Sequence, residues 1–176
     1  MRHLRTSDPR DVRRAYEGDE DRPLGGYLAA LGGYAAGVGT LACVAKLRGR
    51  HLPERFSLGD TLLLSIATHK LSRLLAKDAV TSPLRAPFTR YQEPAGDGEL
   101  NESVRGSGVR HAIGEMLTCP FCLAVWFATA LAGGMVLAPR LTRTVSLVMT
   151  AVAASDTLQL VYDTAKQLPP TVSGAD

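Results

Sequence analysis

The sequence has no sustained basic run, no internal repeat and no low-complexity tract, and only 6% of its residues are aromatic. Without basic stretches interleaved with aromatic residues it lacks the footprint of a nucleic-acid binder, so no nucleic-acid partner is expected. With no inverted repeat and a single acidic residue inside any apolar run, a small transporter is disfavoured. At 176 residues two large catalytic domains are excluded as well. Three cysteines are too few for a relay between two cysteine pairs.

Charge is scarce in three places, and there it is informative. Leu24 to Ala45 is an uncharged run of 22 residues. As a helix it covers roughly 33 Å, slightly more than the hydrocarbon core of a bilayer. Leu117 to Ala138 is a second such run, and Val145 to Val161 a third, with Asp156 as its one ionisable group. A fourth segment, Leu58 to Val80, carries Ser65, Thr68, His69 and Ser72 on one helical stripe and Lys70, Arg73 and Lys77 on a neighbouring one. That pattern fits a helix lying in the membrane interface or a bundle helix with its polar stripe inward. Crossing is preferred, because four helices let the stripe meet Asp156.

The expected fold is therefore all-α: an integral membrane bundle of about four helices, near 24–45, 58–80, 117–138 and 141–166. A polar arm (1–23) precedes the membrane domain (24–166), and a tail (167–176) follows it. The arm holds six basic and six acidic side chains and does not read as a secretory leader. The loop 81–116 is expected to hold a small hairpin, from Pro87–Gln92 and Glu99–Val104 around Pro-Ala-Gly-Asp-Gly. With four crossings, fourteen Lys and Arg fall on one side and six on the other. Both termini and the long loop are then expected in the cytoplasm of a multi-pass cell-membrane protein. Gly33 and Gly37 form a small-xxx-small pattern that suits close packing within the bundle or a seam between two copies. The expected partners are the lipid bilayer and either a second copy or another membrane protein.

Cys119-Pro-Phe-Cys122 is the sharpest chemical feature, a thiol pair where the loop enters a helix whose terminal amides favour negative charge. Three readings are open. Zinc is the expected cofactor if two further ligands join from His111, His69, Glu115 or Asp78, with His111 the nearest in sequence. Thiol redox chemistry would use Cys119 as nucleophile and Cys122 as resolving thiol. The tetrapeptide is similar to the glutaredoxin active site but lacks its βαβ surroundings. Small membrane disulfide-generating enzymes are a closer analogy, yet Cys43, the remaining cysteine, is expected at the opposite membrane face. Alternatively the pair and its proline simply begin a membrane helix.

A carboxylate within a span demands a partner, and counting from the outer face puts Asp156 level with His69, Lys70 and Arg73. An ion pair fastening two helices is the plain account, a proton or substrate path the more specific one. Asp78 and Arg85 stand where the chain leaves the membrane, with Asp78 able to turn back onto Arg85 or Lys77. They read as a loop turn beside snorkelling cations or as a site for an anionic lipid headgroup.

Several of these motifs recur together, in order: Arg73-Leu-Leu-x-x-Asp78, Pro83-Leu-Arg85, Phe88-Thr-Arg-Tyr91, Gly114-Glu-Met-Leu-Thr-Cys119-Pro-Phe-Cys122 and Trp126. Over residues 57–165 the chain resembles the bacterial membrane family known as domain of unknown function 1360. Ala124 departs from the family's glycine. The resemblance implies a bacterial integral membrane protein and assigns no activity. The expected function is a non-enzymatic scaffold or assembly component with a metal site at the cysteine pair; the alternative is a membrane thiol oxidoreductase.

Overall fold

A computed structural model describes residues 22–167 together with Asp8, Val12, Ala15 and Tyr16. Most of the arm (1–23) and the end of the tail, including Pro169-Pro170, lie outside the described residues. The chain is mostly helical with one two-stranded antiparallel sheet. In order it forms α1 (Leu24–Leu47), α2 (Leu58–Ala76), a 3-10 turn (Ala79–Thr81), α3 (Ser82–Arg85), β1 (Thr89–Gly96), β2 (Glu99–Val104), α4 (Gly108–Thr118), α5 (Pro120–Leu137) and α6 (Pro139–Gln167).

Four helices were expected, and six α-helical segments are present among the described residues. The additional two, α3 and α4, fall in the segment expected to be loop. Proline within the first turn of α3 fixes a helical φ where no amide donor is required. In α4 the buried residues Ala112 and Gly114 lie on two sides of the helix, toward α1 and toward the hairpin, so they make no single apolar stripe that would stand out beside the long apolar runs. The hairpin is present, with β1 longer than expected. It pairs from Thr89↔Val104 to Gly96↔Glu99, with irregularities after Tyr91 and Pro94.

Three helices, α1, α5 and α6, are long and apolar enough to cross a membrane. α2 does not meet that measure, because His69, Lys70 and Arg73 interrupt its apolar residues. It nevertheless runs beside α6 in the same direction. Asp60 meets Arg143, the Thr150 hydroxyl donates to the Leu63 carbonyl, and Lys70 meets Asp156. α1 likewise runs parallel to α5, with Tyr34 bonded to Thr129 and Gly133 lying against Leu41. Ala138 and Pro139 form a tight turn that reverses α5 into α6.

Burial is inverted relative to a water-soluble bundle. The buried apolar residues are mostly small or sit at helix contacts (Ala67, Ala76, Ala112, Leu123, Leu131, Met135), whereas Leu28, Leu31, Phe121, Leu147, Leu158 and Leu160 are exposed. Such a surface would drive aggregation in water, whereas in hydrocarbon it is the solvated one. Helices meet through small residues instead. A Cβ on Gly26 would lie 2.6 Å from the Gly108 carbonyl oxygen and 2.8 Å from Ala112 Cβ, so α1 and α4 approach to backbone contact. Gly33 faces Trp126, but Gly37 has open space around it, so the two glycines do not share a contact.

Candidate functional site

The 3-10 turn, α3, the hairpin and α4 form a cap over one end of the bundle. Its hairpin is tied by backbone to the 3-10 turn, where the Ala79 amide donates to the Gly98 carbonyl (2.8 Å), and to the end of α2, where the Leu100 amide donates to the Lys77 carbonyl (2.9 Å). Gly98 takes a positive φ of 76° in the hairpin turn, which an L side chain rarely adopts.

At the centre of the cap is Arg85, with a relative exposure of 0%. Its Nε donates to Glu102 Oε2 at 2.6 Å, and the Glu102 side chain is 5% exposed. Its Nη1 reaches the Leu75 carbonyl (2.8 Å), the Asp78 carbonyl (3.1 Å) and the Thr81 hydroxyl (2.7 Å). One guanidinium thus holds the end of α2, the 3-10 turn and β2 together. Its planar fork suits this task in a way a lysine ammonium would not. Arg85 and Asp78 were read either as a loop turn beside snorkelling cations or as a headgroup site; here Arg85 is enclosed and bonds the Asp78 carbonyl within the turn.

Between the hairpin tip, α2 and α6 lies a cleft of about 840 Å³. His69, Lys70, Arg73, Asp78, Asp97 and Glu99 line one side and Asp156 and Asp163 the other. Lys70 Nζ stands 2.9 Å from Asp156 and 3.6 Å from Asp78. Arg73, grouped with Asp156 on depth alone, turns instead to the hairpin and grips Glu99 through Nε at 3.1 Å and Nη2 at 2.6 Å. Asp78 turns its carboxylate to Lys70 and only its carbonyl to Arg85. His69 lines the cleft. Glu99 and Glu102 escaped the sequence reading, because a loop glutamate has no local signal until a cation faces it.

The cysteine pair sits elsewhere, at the junction of α4 and α5. Cys119 is the N-cap of α5, and its sulfur accepts the Cys122 amide at 3.3 Å. Cys122 is exposed and Cys119 half-buried. One turn earlier, Glu115 accepts the Tyr27 hydroxyl at 2.6 Å and faces Arg22 at 3.4 Å and His111 at 3.5 Å. The other His111 nitrogen, Nδ1, is 3.2 Å from the Gly106 carbonyl. His111 therefore points to Glu115 and the backbone rather than to sulfur. Among the described residues no group of three or more His, Cys, Asp or Glu is arranged to hold a metal ion. Among the described residues, the four-ligand zinc site read from Cys119 and Cys122 with two more ligands from His111, His69, Glu115 or Asp78 is not assembled.

The sequence family described as "Protein of unknown function (DUF1360)" matches residues 63–162, which span α2 from its second turn, the whole cap, α5 and most of α6. The chain belongs to this family. The DUF1360 region thus contains the Arg85–Glu102 clamp, the cleft and the cysteine pair. It leaves out α1. The chain is 41% identical over 70 residues to "Sporulation protein YjcA" of Bacillus subtilis (strain 168), covering 38% of this chain and 59% of that protein. It is 30% identical over 90 residues to "UPF0713 protein YngL" of the same organism, covering 50% of this chain and 66% of that one. The chain thus spans less than two thirds of the length of each of these relatives. No solved structure matches it.

Proposed function

We propose that this DUF1360 protein is a non-enzymatic scaffold or assembly component of a bacterial cell membrane. In this reading α1, α2, α5 and α6 cross the bilayer, and the cap and both termini are cytoplasmic. The observation that carries the proposal is how the charged side chains are engaged. Asp60–Arg143, Lys70–Asp156, Arg73–Glu99 and Arg85–Glu102 each join elements far apart in the chain. The first two fasten α2 to α6, Arg73–Glu99 ties the hairpin to α2, and Arg85, paired with Glu102 in the cap, reaches the Leu75 carbonyl at the end of α2, so cap and bundle are held together as a platform for other proteins requires. The inverted burial supports the bilayer, and the excess of basic residues on the cap side supports its cytoplasmic placement. A relative named for sporulation fits a part in a membrane-associated assembly process, without specifying one.

Two experiments test the proposal. In a Cys43→Ser variant, a membrane-impermeant maleimide is expected to label Cys122 only after cells are permeabilised; labelling of intact cells would reverse the topology. Photocrosslinking amino acids placed at the exposed hairpin residues Arg90, Gln92 and Glu93 are expected to give discrete adducts with a second copy or another membrane protein. Absence of adducts from all three would overturn the scaffold reading.

A further inference from the structure

We infer that Cys119 and Cys122 form a two-coordinate site for a soft monovalent metal ion, copper(I). The two residues are the N-cap and third residue of α5. Cys119 folds back over the first turn of α5 and takes the Cys122 amide on its sulfur at 3.3 Å, so rotation about the Cys122 χ1 can bring both sulfurs to one ion. Cys122 is exposed and Phe121 beside it is 88% exposed, so the pair is accessible from outside the bundle.

The surroundings select the ion through its coordination number. Zinc requires four ligands, and a lone pair of thiolates leaves it half-coordinated. The side chains that could complete a zinc site are engaged elsewhere. Glu115 holds Tyr27 and faces Arg22, and His111 has one nitrogen toward Glu115 and the other toward the Gly106 carbonyl. Among the described residues none joins the two cysteines as a third ligand. Thiolates favour copper(I), a filled-shell ion that is satisfied by two of them in a linear arrangement. Binding releases two protons: two thiols and Cu⁺ give a bis-thiolate complex of net charge −1 and two H⁺. That negative charge would sit at the positive end of an 18-residue helix. The Cys122 amide already directed at the Cys119 sulfur would stabilise it further.

The full-length protein, purified in detergent under anaerobic reducing conditions, is titrated with copper(I) against a chromophoric copper(I) chelator. One ion per chain is expected. Loss of outer-shell partners weakens metal sites by roughly 10–100-fold, so removing a ligand in Cys119→Ser or Cys122→Ser is expected to weaken binding by more than about 100-fold. Cys43→Ser and His111→Ala are expected to bind as the parent does. X-ray absorption at the copper edge of the parent protein, which requires no variant to fold, is expected to show two sulfur neighbours and no nitrogen. Three results would overturn the assignment: no binding above the chelator, retention of copper in both serine variants, or a zinc ion shared at half an equivalent per chain by a dimer. None of these outcomes bears on the scaffold reading, which is tested by labelling and crosslinking.

Discussion

Glu102→Gln removes the one carboxylate that faces the buried Arg85 guanidinium while keeping the shape of the side chain. Breaking a buried ion pair by removing one partner destabilises by about 3–5 kcal/mol, because the remaining charge is left uncompensated in a low-dielectric site. The glutamine oxygen can still accept from Nε, which returns a neutral hydrogen bond of about 1 kcal/mol. The three neutral acceptors on Nη1 are unchanged. The expected net loss is therefore about 2–4 kcal/mol. It should be local, since Arg85 connects the cap to α2 and touches neither α1 nor α6. Hydrogen exchange of the Ala79 and Leu100 amides reads it directly, because both bonds lie in the seam between the hairpin and the end of α2 with its 3-10 turn. Each 1.4 kcal/mol is a factor of ten in the opening equilibrium, so exchange should accelerate by roughly 30- to 1,000-fold. A paired Arg85→Met, Glu102→Leu variant should recover much of the loss, since an apolar pair of similar volume often replaces a buried ion pair without penalty. Exchange within about threefold of the parent protein in Glu102→Gln would refute the clamp.

Three further outcomes follow from the packing and the ion pairs. Gly114→Ala is expected to lower the detergent unfolding midpoint, because the new methyl would lie 2.5 Å from Val104 Cγ1 and 3.0 Å from the Phe88 carbonyl oxygen. Overpacking of this kind destabilises by about 1–3 kcal/mol, whereas Gly37→Ala, with nothing within 4 Å, should leave the midpoint unchanged. A parent-like midpoint for Gly114→Ala would contradict the packing of α4 on the hairpin. Asp156→Asn should lower stability by about 1 kcal/mol at most, since its side chain is 45% exposed and Lys70 keeps Asp78 as a second partner. Arg73→Gln should add to that loss independently in a double-mutant cycle, because Arg73 belongs to Glu99. Strong coupling between the two would show that they share one network.

The sequence carried the local features well. Runs with no charge, or with Asp156 alone, mark α1, α5 and α6, because a bilayer span is recognised by length and scarcity of charge along a continuous stretch. The hairpin was legible from its turn residues, and the start of α5 from Cys119-Pro120, since caps and turns depend on neighbours a few positions apart. α3 and α4 were missed because a single turn held by proline, and a short helix whose buried residues Ala112 and Gly114 face different neighbours, resemble loop composition.

Depth along a span placed Asp156 beside His69, Lys70 and Arg73 at once, and the fold chose Lys70. The same folding turned Arg73 outward to Glu99, enclosed Arg85 with Glu102, and occupied His111 away from the sulfurs. Composition and periodicity by themselves determined which long segments are helical, which are apolar enough for a membrane and where the hairpin turns. Only the tertiary structure decided which charge meets which. An ion pair depends on two side chains converging in space across as many as 93 positions of sequence, as for Arg22 and Glu115, and no local pattern encodes that convergence.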